Sequence, residues 1–85
     1  MAKPIFPQWR LLLGKLRTLS GKEVCAILLA HGFEPVRQKG SHVIMQKHIN
    51  SSTITVPVPQ HKEIKAGTLV SIIRQAQLAR SIFEN

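Results

Sequence analysis

Three short strand patterns follow one another between two helical ones, and this order decides most of what the chain can fold into. Glu34 to Lys39 reads as a first strand, Ser41 to Lys47 as a second and Thr53 to Val58 as a third. Gly40 permits a bend or bulge at the first break, and Asn50-Ser51-Ser52 reads as a turn at the second. Strands joined so tightly must be antiparallel neighbours, because a parallel connection needs a long crossover. Helices before and after such a sheet are left one face to share. The expectation is an α+β domain in α-β-β-β-α order, a three-stranded antiparallel sheet with both helices on one face.

The helix boundaries are written in their ends. Ser20 caps the amides of a helix start while Glu23, three residues on, reaches back to the cap amide. Leu19 and Val24 stand at the staple positions on either side. The spacing predicts a helix to about His31, with Val24, Ile27 and Leu28 inward. Gly32 supplies a left-handed ending and Phe33 returns to the core. His31, in the last turn, complements the helix dipole. A second helix is expected from about Lys65 or Ala66, with Leu69, Ile72, Ile73 and Ala76 as its apolar stripe. Ala79 to Glu84 adds a short terminal turn packing Ile82 or Phe83.

Alternation divides the strands by face. Val43 and Met45 are placed inward, and His42, Ile44 and Gln46 on the open face. Ile54, Val56 and Val58 point inward and the threonines outward. Pro35 and Pro57 each remove a ladder donor, which argues for strand ends or edges.

Eighty-five residues make one small domain. Twelve Lys and Arg against four acids give a net charge of +8, a balance that favours an acidic partner, nucleic acid before an anionic membrane. Residues 1–18 read as an N-terminal extension that holds four of the cations and no acid, so residues 19–85 are only moderately basic. The extension is broken by Pro4 and Pro7. It admits one or two helical turns over Trp9 to Leu16, and is compatible with a docking arm, a targeting segment or translation from an upstream start. Trp9, Phe6, Phe33 and Phe83 are too few for a wide base-stacking platform. Cys25 is the single cysteine, which excludes an internal disulfide and a cysteine metal cluster and points to a reducing compartment. No apolar run reaches membrane-spanning length.

Chemistry concentrates at Arg37-Gln38-Lys39-Gly40-Ser41-His42. Metal-free RNA cleavage needs a group that moves protons near neutral pH and cations or amides facing the phosphate. His42 suits the first task. Arg37, Lys39 and Lys47 suit the second, and Gly40 lets a phosphate approach the main chain closely. Ser41 and His42, adjacent on a strand, point to opposite faces and are no hydrolase pair. No acid close in sequence is an obvious orienting group for the imidazole, and Glu23, Glu34 or Glu63 would have to be brought to it by the fold. His42 and His48 would lie about 20 Å apart on one face, too far to share a metal.

Gly32-Phe33, then Arg37-Gln38-Lys39-Gly40-Ser41-His42, then Thr55-Val56-Pro57, then Gly67-Thr68-Leu69 with Ile72, Ile73, Arg74, Gln75 and Ala76, together resemble the HicA family. These are the small, YcfA-like toxins of HicA–HicB type II toxin–antitoxin systems. The resemblance covers about residues 19 to 84. It implies a double-stranded-RNA-binding-domain-like fold and a ribosome-independent mRNA interferase that arrests translation and growth. It also implies His42 of the Gly-Ser-His motif as the one catalytic residue, no cofactor, a cognate HicB antitoxin covering that histidine, and the bacterial or archaeal cytoplasm.

Two departures stand out. Many relatives begin close to the capping Ser-Gly, whereas nearly twenty residues precede it here. Many also carry Gln-Ala-Gly where this chain has Gln75-Ala76-Gln77, which predicts a helix that runs on with a different ending. The rival to a toxin nuclease is a non-catalytic RNA-binding module, since one histidine is thin catalytic machinery. A further possibility is a partner surface whose activity has been lost.

Overall fold

Ser20 opens the first helix in the computed structural model, which describes residues 15–85. Its hydroxyl accepts from the Glu23 amide at 3.1 Å and the Glu23 carboxylate accepts from the Ser20 amide at 2.9 Å. Helix α1 (Gly21–Ala30) follows, with Val24 and Leu28 fully buried and Ile27 half-buried. At its end Gly32 turns left-handed at φ +93°. The Phe33 amide donates to the Leu28 carbonyl and the Gly32 amide to that of Leu29. This pair of bonds satisfies carbonyls the helix leaves open and drives Phe33 into the core. His31 sits just past the helix, where its Nδ1 donates to the Ile27 carbonyl at 2.9 Å.

Strands β1 (Glu34–Lys39), β2 (His42–Ile49) and β3 (Ser52–Pro59) form one antiparallel sheet in the order β1-β2-β3. The order places Pro35, Pro57 and Pro59 on the two edge strands, where a missing amide costs no central ladder bond. Pro35 also abuts the irregularity between Pro35 and Arg37, where the register shifts. Ser41, expected as the first residue of the second strand, lies in the turn instead, and β2 runs on to Ile49. Asn50, at φ +52°, and Ser51 make the second turn, while Ser52 already belongs to β3.

Helix α2 (Ala66–Ala76) buries Leu69, Ile72, Ile73 and Ala76. Together with Val24, Leu28, Phe33, Met45, Val56 and Val58 they form one apolar cluster, which puts both helices on the same sheet face. The helix does not run on past Ala76. Gln77 takes the left-handed conformation at φ +57°, its amide donates to the Arg74 carbonyl, and the Leu78 amide reaches the Ile73 carbonyl. These are the bonds a glycine ending makes, held by a residue that has a Cβ to accommodate. A 3-10 turn (Arg80–Phe83) then buries Phe83 completely, and Arg80 pairs with Glu84 at 2.8 Å.

The expected helical turn over Trp9 to Leu16 falls largely outside the described residues. Leu16, its last member, forms an isolated antiparallel bridge with Glu84. The Arg17 amide donates to Phe83, the Asn85 amide to Lys15, and the Ile64 amide to buried Leu19. No helix among the described residues is long and apolar enough to cross a membrane.

Candidate functional site

Lys39 and His42 are the closing pair of the β1–β2 hairpin, with only Gly40 and Ser41 between them. Gly40 has φ +60° and Ser41 is not left-handed, the pattern of a type II′ turn, which requires glycine at its first central position. No atom comes within 4 Å of where a Gly40 Cβ would stand, so conformation and not crowding selects this glycine. The turn is open to solvent as a result. It is held from one side: the Gln60 amide, just beyond β3, donates to the Ser41 carbonyl at 2.8 Å. The Gln38 side chain also reaches the Gly40 carbonyl at 3.3 Å.

Cross-strand partners share a sheet face, about 5 Å apart, so the register lays out the open face in rows. His42 stands in a row with Lys39 and Pro59, Ile44 with Arg37 and Pro57, and Gln46 with Glu34 and Thr55. His48 and Thr53 form the last row, joined by a 3.1 Å bond between Nδ1 and Oγ1. Successive rows are about 7 Å apart. His42, Lys39 and Arg37 are exposed and come together at one end of this face, beside the Gly40-Ser41 turn. Ile44 lies on the same face, yet only 6% of it is exposed, and it stands apart from the main core between Arg37 and Pro57.

Lys47 is not among them. It shares the helix-facing side of β2 with Val43 and Met45, half-buried, with Nζ 5.8 Å from the centre of the Phe33 ring. Its stem runs past Gly32, where an added Cβ would meet Cε at 3.1 Å. That contact is a cation over an aromatic face, on the side of the sheet opposite His42. Lys47, expected beside the phosphate with Arg37 and Lys39, lies five residues from His42 along β2, an odd spacing that puts it on the opposite face.

Among the described residues no side chain hydrogen-bonds the His42 imidazole. Glu23 is engaged in the helix cap, and Glu34 pairs with Gln46 two rows from His42. Glu63 lines a cleft that also touches Pro59, the cross-strand neighbour of His42. Burial raises the Cys25 thiol above its ordinary pKa, an effect partly offset by the Gln60 side chain, whose Nε2 lies 3.6 Å from Sγ. Such a thiol is a poor nucleophile. An apolar groove of about 280 Å³ runs between α1 and the β1–β2 hairpin, past Cys25, Leu29 and Met45. It opens on the helix side and does not include His42.

The loop after β3 belongs to the site's end of the molecule, which its sequence does not announce. The Gly21 amide donates to the His61 carbonyl at 2.9 Å. A Cβ on Gly21 would collide with the Pro59 carbonyl oxygen and lie 2.8 Å from the Gln60 Cα. The start of α1, the end of β3 and the Gly40-Ser41 turn are thereby packed together. Two clefts flank the loop, of about 210 and 280 Å³, and both are lined by His61. The signal that could have found them is the density of His61, Lys62 and Lys65 in a segment without core residues other than Ile64.

A family model described as the HicA toxin of bacterial toxin–antitoxin systems matches residues 21–78, from the first residue of α1 to just beyond α2. No curated protein and no solved structure matches the chain.

Proposed function

The chain belongs to the HicA toxin family of bacterial toxin–antitoxin systems, and from that premise we propose that it is an mRNA interferase, cutting RNA without a metal through His42. The observation that carries this is the exposed His42 imidazole standing across from Lys39, one row from Arg37, on an open sheet face. An RNA strand laid there meets a proton-transfer group and two cations together. The 2′-oxygen attacks the adjacent phosphorus as its proton departs, and the P–O5′ bond breaks as the 5′-oxygen gains one. His42 takes one of these two proton transfers and solvent water the other. Lys39 and Arg37 face the negative charge that grows on the non-bridging oxygens. Gly40 and Ser41 shape the wall, where a left-handed glycine lets a phosphate come close to the backbone. The α-β-β-β-α order is the one expected of a double-stranded-RNA-binding-domain-like fold, and 2′-hydroxyl and phosphate contacts are how such folds prefer RNA to DNA.

In this proposal the acidic or polar surface of a cognate HicB-like antitoxin covers the open face and silences it, in the bacterial or archaeal cytoplasm. Folded, nuclease-free wild-type protein is expected to cleave RNA in the presence of chelator, and His42→Ala to bind RNA and leave it intact. Undiminished cleavage by His42→Ala removes the assignment. A second reading, a module that binds RNA without cutting it, is favoured by the imidazole's lack of a hydrogen-bonded orienting group. It predicts salt-sensitive binding by the wild type and no cleavage at all.

A further inference from the structure

We propose that the loop from Gln60 to Lys65, with Lys22 of α1, is a second phosphate-binding station for the same RNA, next to the His42 end of the sheet. The inference rests on the RNA reading above and adds residues to it. Two clefts meet at His61, one lined by Lys22 and Lys62 and the other by Lys65 and Thr68. All three lysines are exposed, so their charges are free to meet a ligand. Both clefts are at or below the small end of small-molecule sites, which run from about 300 Å³ upward. A chain lying across their rims is the ligand that fits, and three lysines against Glu63, with the nearby Glu23 carboxylate already engaged by the Ser20 amide, favour an anionic one.

Position makes the anion RNA. Pro59 lines the second cleft and is the cross-strand partner of His42. The Gln60 amide holds the Ser41 carbonyl, and the His61 carbonyl is held by the Gly21 amide. The loop is therefore pinned on both sides, at a fixed place beside the hairpin turn. Lys22 stands at the helix-side rim of the first cleft, so a strand leaving His42 past Pro59 meets Lys65 first and reaches Lys22 by passing round the turn. A phosphate held there fixes which bond faces the imidazole, so the station sets position along the strand and leaves proton transfer to His42.

The test uses the full chain. Binding of a single-stranded RNA is measured over a range of salt concentrations for His42→Ala and for His42→Ala carrying Lys22→Gln, Lys62→Gln and Lys65→Gln. Circular dichroism and urea unfolding check that the fold is kept, and Lys62→Glu alone serves as a second variant. The expected result is weaker binding and a salt slope shallower by about 0.7 for each phosphate no longer neutralised, or roughly 2 in all. With His42 restored, the loss of cleavage should appear in KM and not in kcat. Equal affinity and equal slope in the two proteins overturn the inference while the RNA reading stands. A wild type that neither binds nor cuts RNA overturns both. Unchanged RNA binding together with failure to capture a coexpressed antitoxin would assign the lysines to a protein interface, and the second station would be wrong.

Discussion

Lys39 stands directly across from His42 on the pair that closes the β1–β2 hairpin, whereas Lys47, on the same strand as His42, lies on the opposite face. A substitution series separates the two lysines. Lys39→Ala is expected to lower kcat/KM roughly ten- to a hundredfold, about 1.4 to 2.8 kcal/mol of transition-state stabilisation. Arg37→Ala, one row along, should lose less. Lys47→Ala should leave cleavage intact and cost about 0.5–1 kcal/mol of stability, because the Phe33 ring no longer has a cation beside it. Cleavage rates and urea midpoints for the wild type and these three variants check the pattern, and equal losses for Lys39 and Lys47 would contradict the face assignment.

Gly21 occupies the first turn of α1, where alanine is ordinarily the better residue by about 1 kcal/mol. Packing against the Pro59 carbonyl and Gln60 Cα reverses that preference. Both neighbours are backbone, so relief requires the loop to move, at a cost of about 1–3 kcal/mol. Gly21→Ala should therefore shift the urea midpoint down by roughly 1 M. Because the same loop holds the Ser41 carbonyl, RNA affinity should fall with it.

Gln77 invites the opposite change. A left-handed residue with a Cβ is strained by about 1–2 kcal/mol, and glycine relieves this at some cost in unfolded-chain entropy. The net expectation for Gln77→Gly is a gain of about 0.5–1 kcal/mol, a Tm rise of roughly 2–8 °C for a domain of this size. A fall in Tm would show that the Gln77 side chain contributes more than its conformation costs.

The Glu23 carboxylate is held below its ordinary pKa, chiefly by accepting the Ser20 backbone amide, then by the Ser20 hydroxyl, with Arg17 adding a smaller attraction. A depressed folded pKa means that the capping contribution is complete above the unfolded value and is lost as pH falls through the folded one. Unfolding of the wild type should accordingly show a loss of stability, as pH falls from the ordinary carboxylate value through the lowered one, that Glu23→Gln lacks. Matching acid profiles for the two proteins would remove the capping box as its source.

Local grammar made much of the fold legible. Ser20 and Glu23 announce a cap, Gly32-Phe33 an ending, and Leu69, Ile72, Ile73 and Ala76 a stripe, because each signal lies within one or two turns of chain. Strand parity placed Val56 and Val58 correctly. Applied to Lys47, the same parity would have set it on the face opposite His42, although residue type alone grouped it with Arg37 and Lys39 as a phosphate-facing cation. Gln77 shows the limit of residue preference. Without a glycine the chain still stops α2 at Ala76, since the Ile73 and Arg74 carbonyls and the burial of Phe83 beyond it outweigh the strain at one residue.

The order of elements, the antiparallel sheet and the motif around His42 were set by sequence alone, through interactions between residues close along the chain. Tertiary structure alone decided that His42 has Lys39 and Pro59 as flanks, that Ile44 is sheltered on the open face between Arg37 and Pro57, and that the loop from Gln60 to Lys65 sits beside the turn. Those facts depend on register and on contacts such as Gly21 with Pro59, thirty-eight positions apart. No local preference encodes such a contact. It appears only when the core closes and brings the start of α1 against the end of β3.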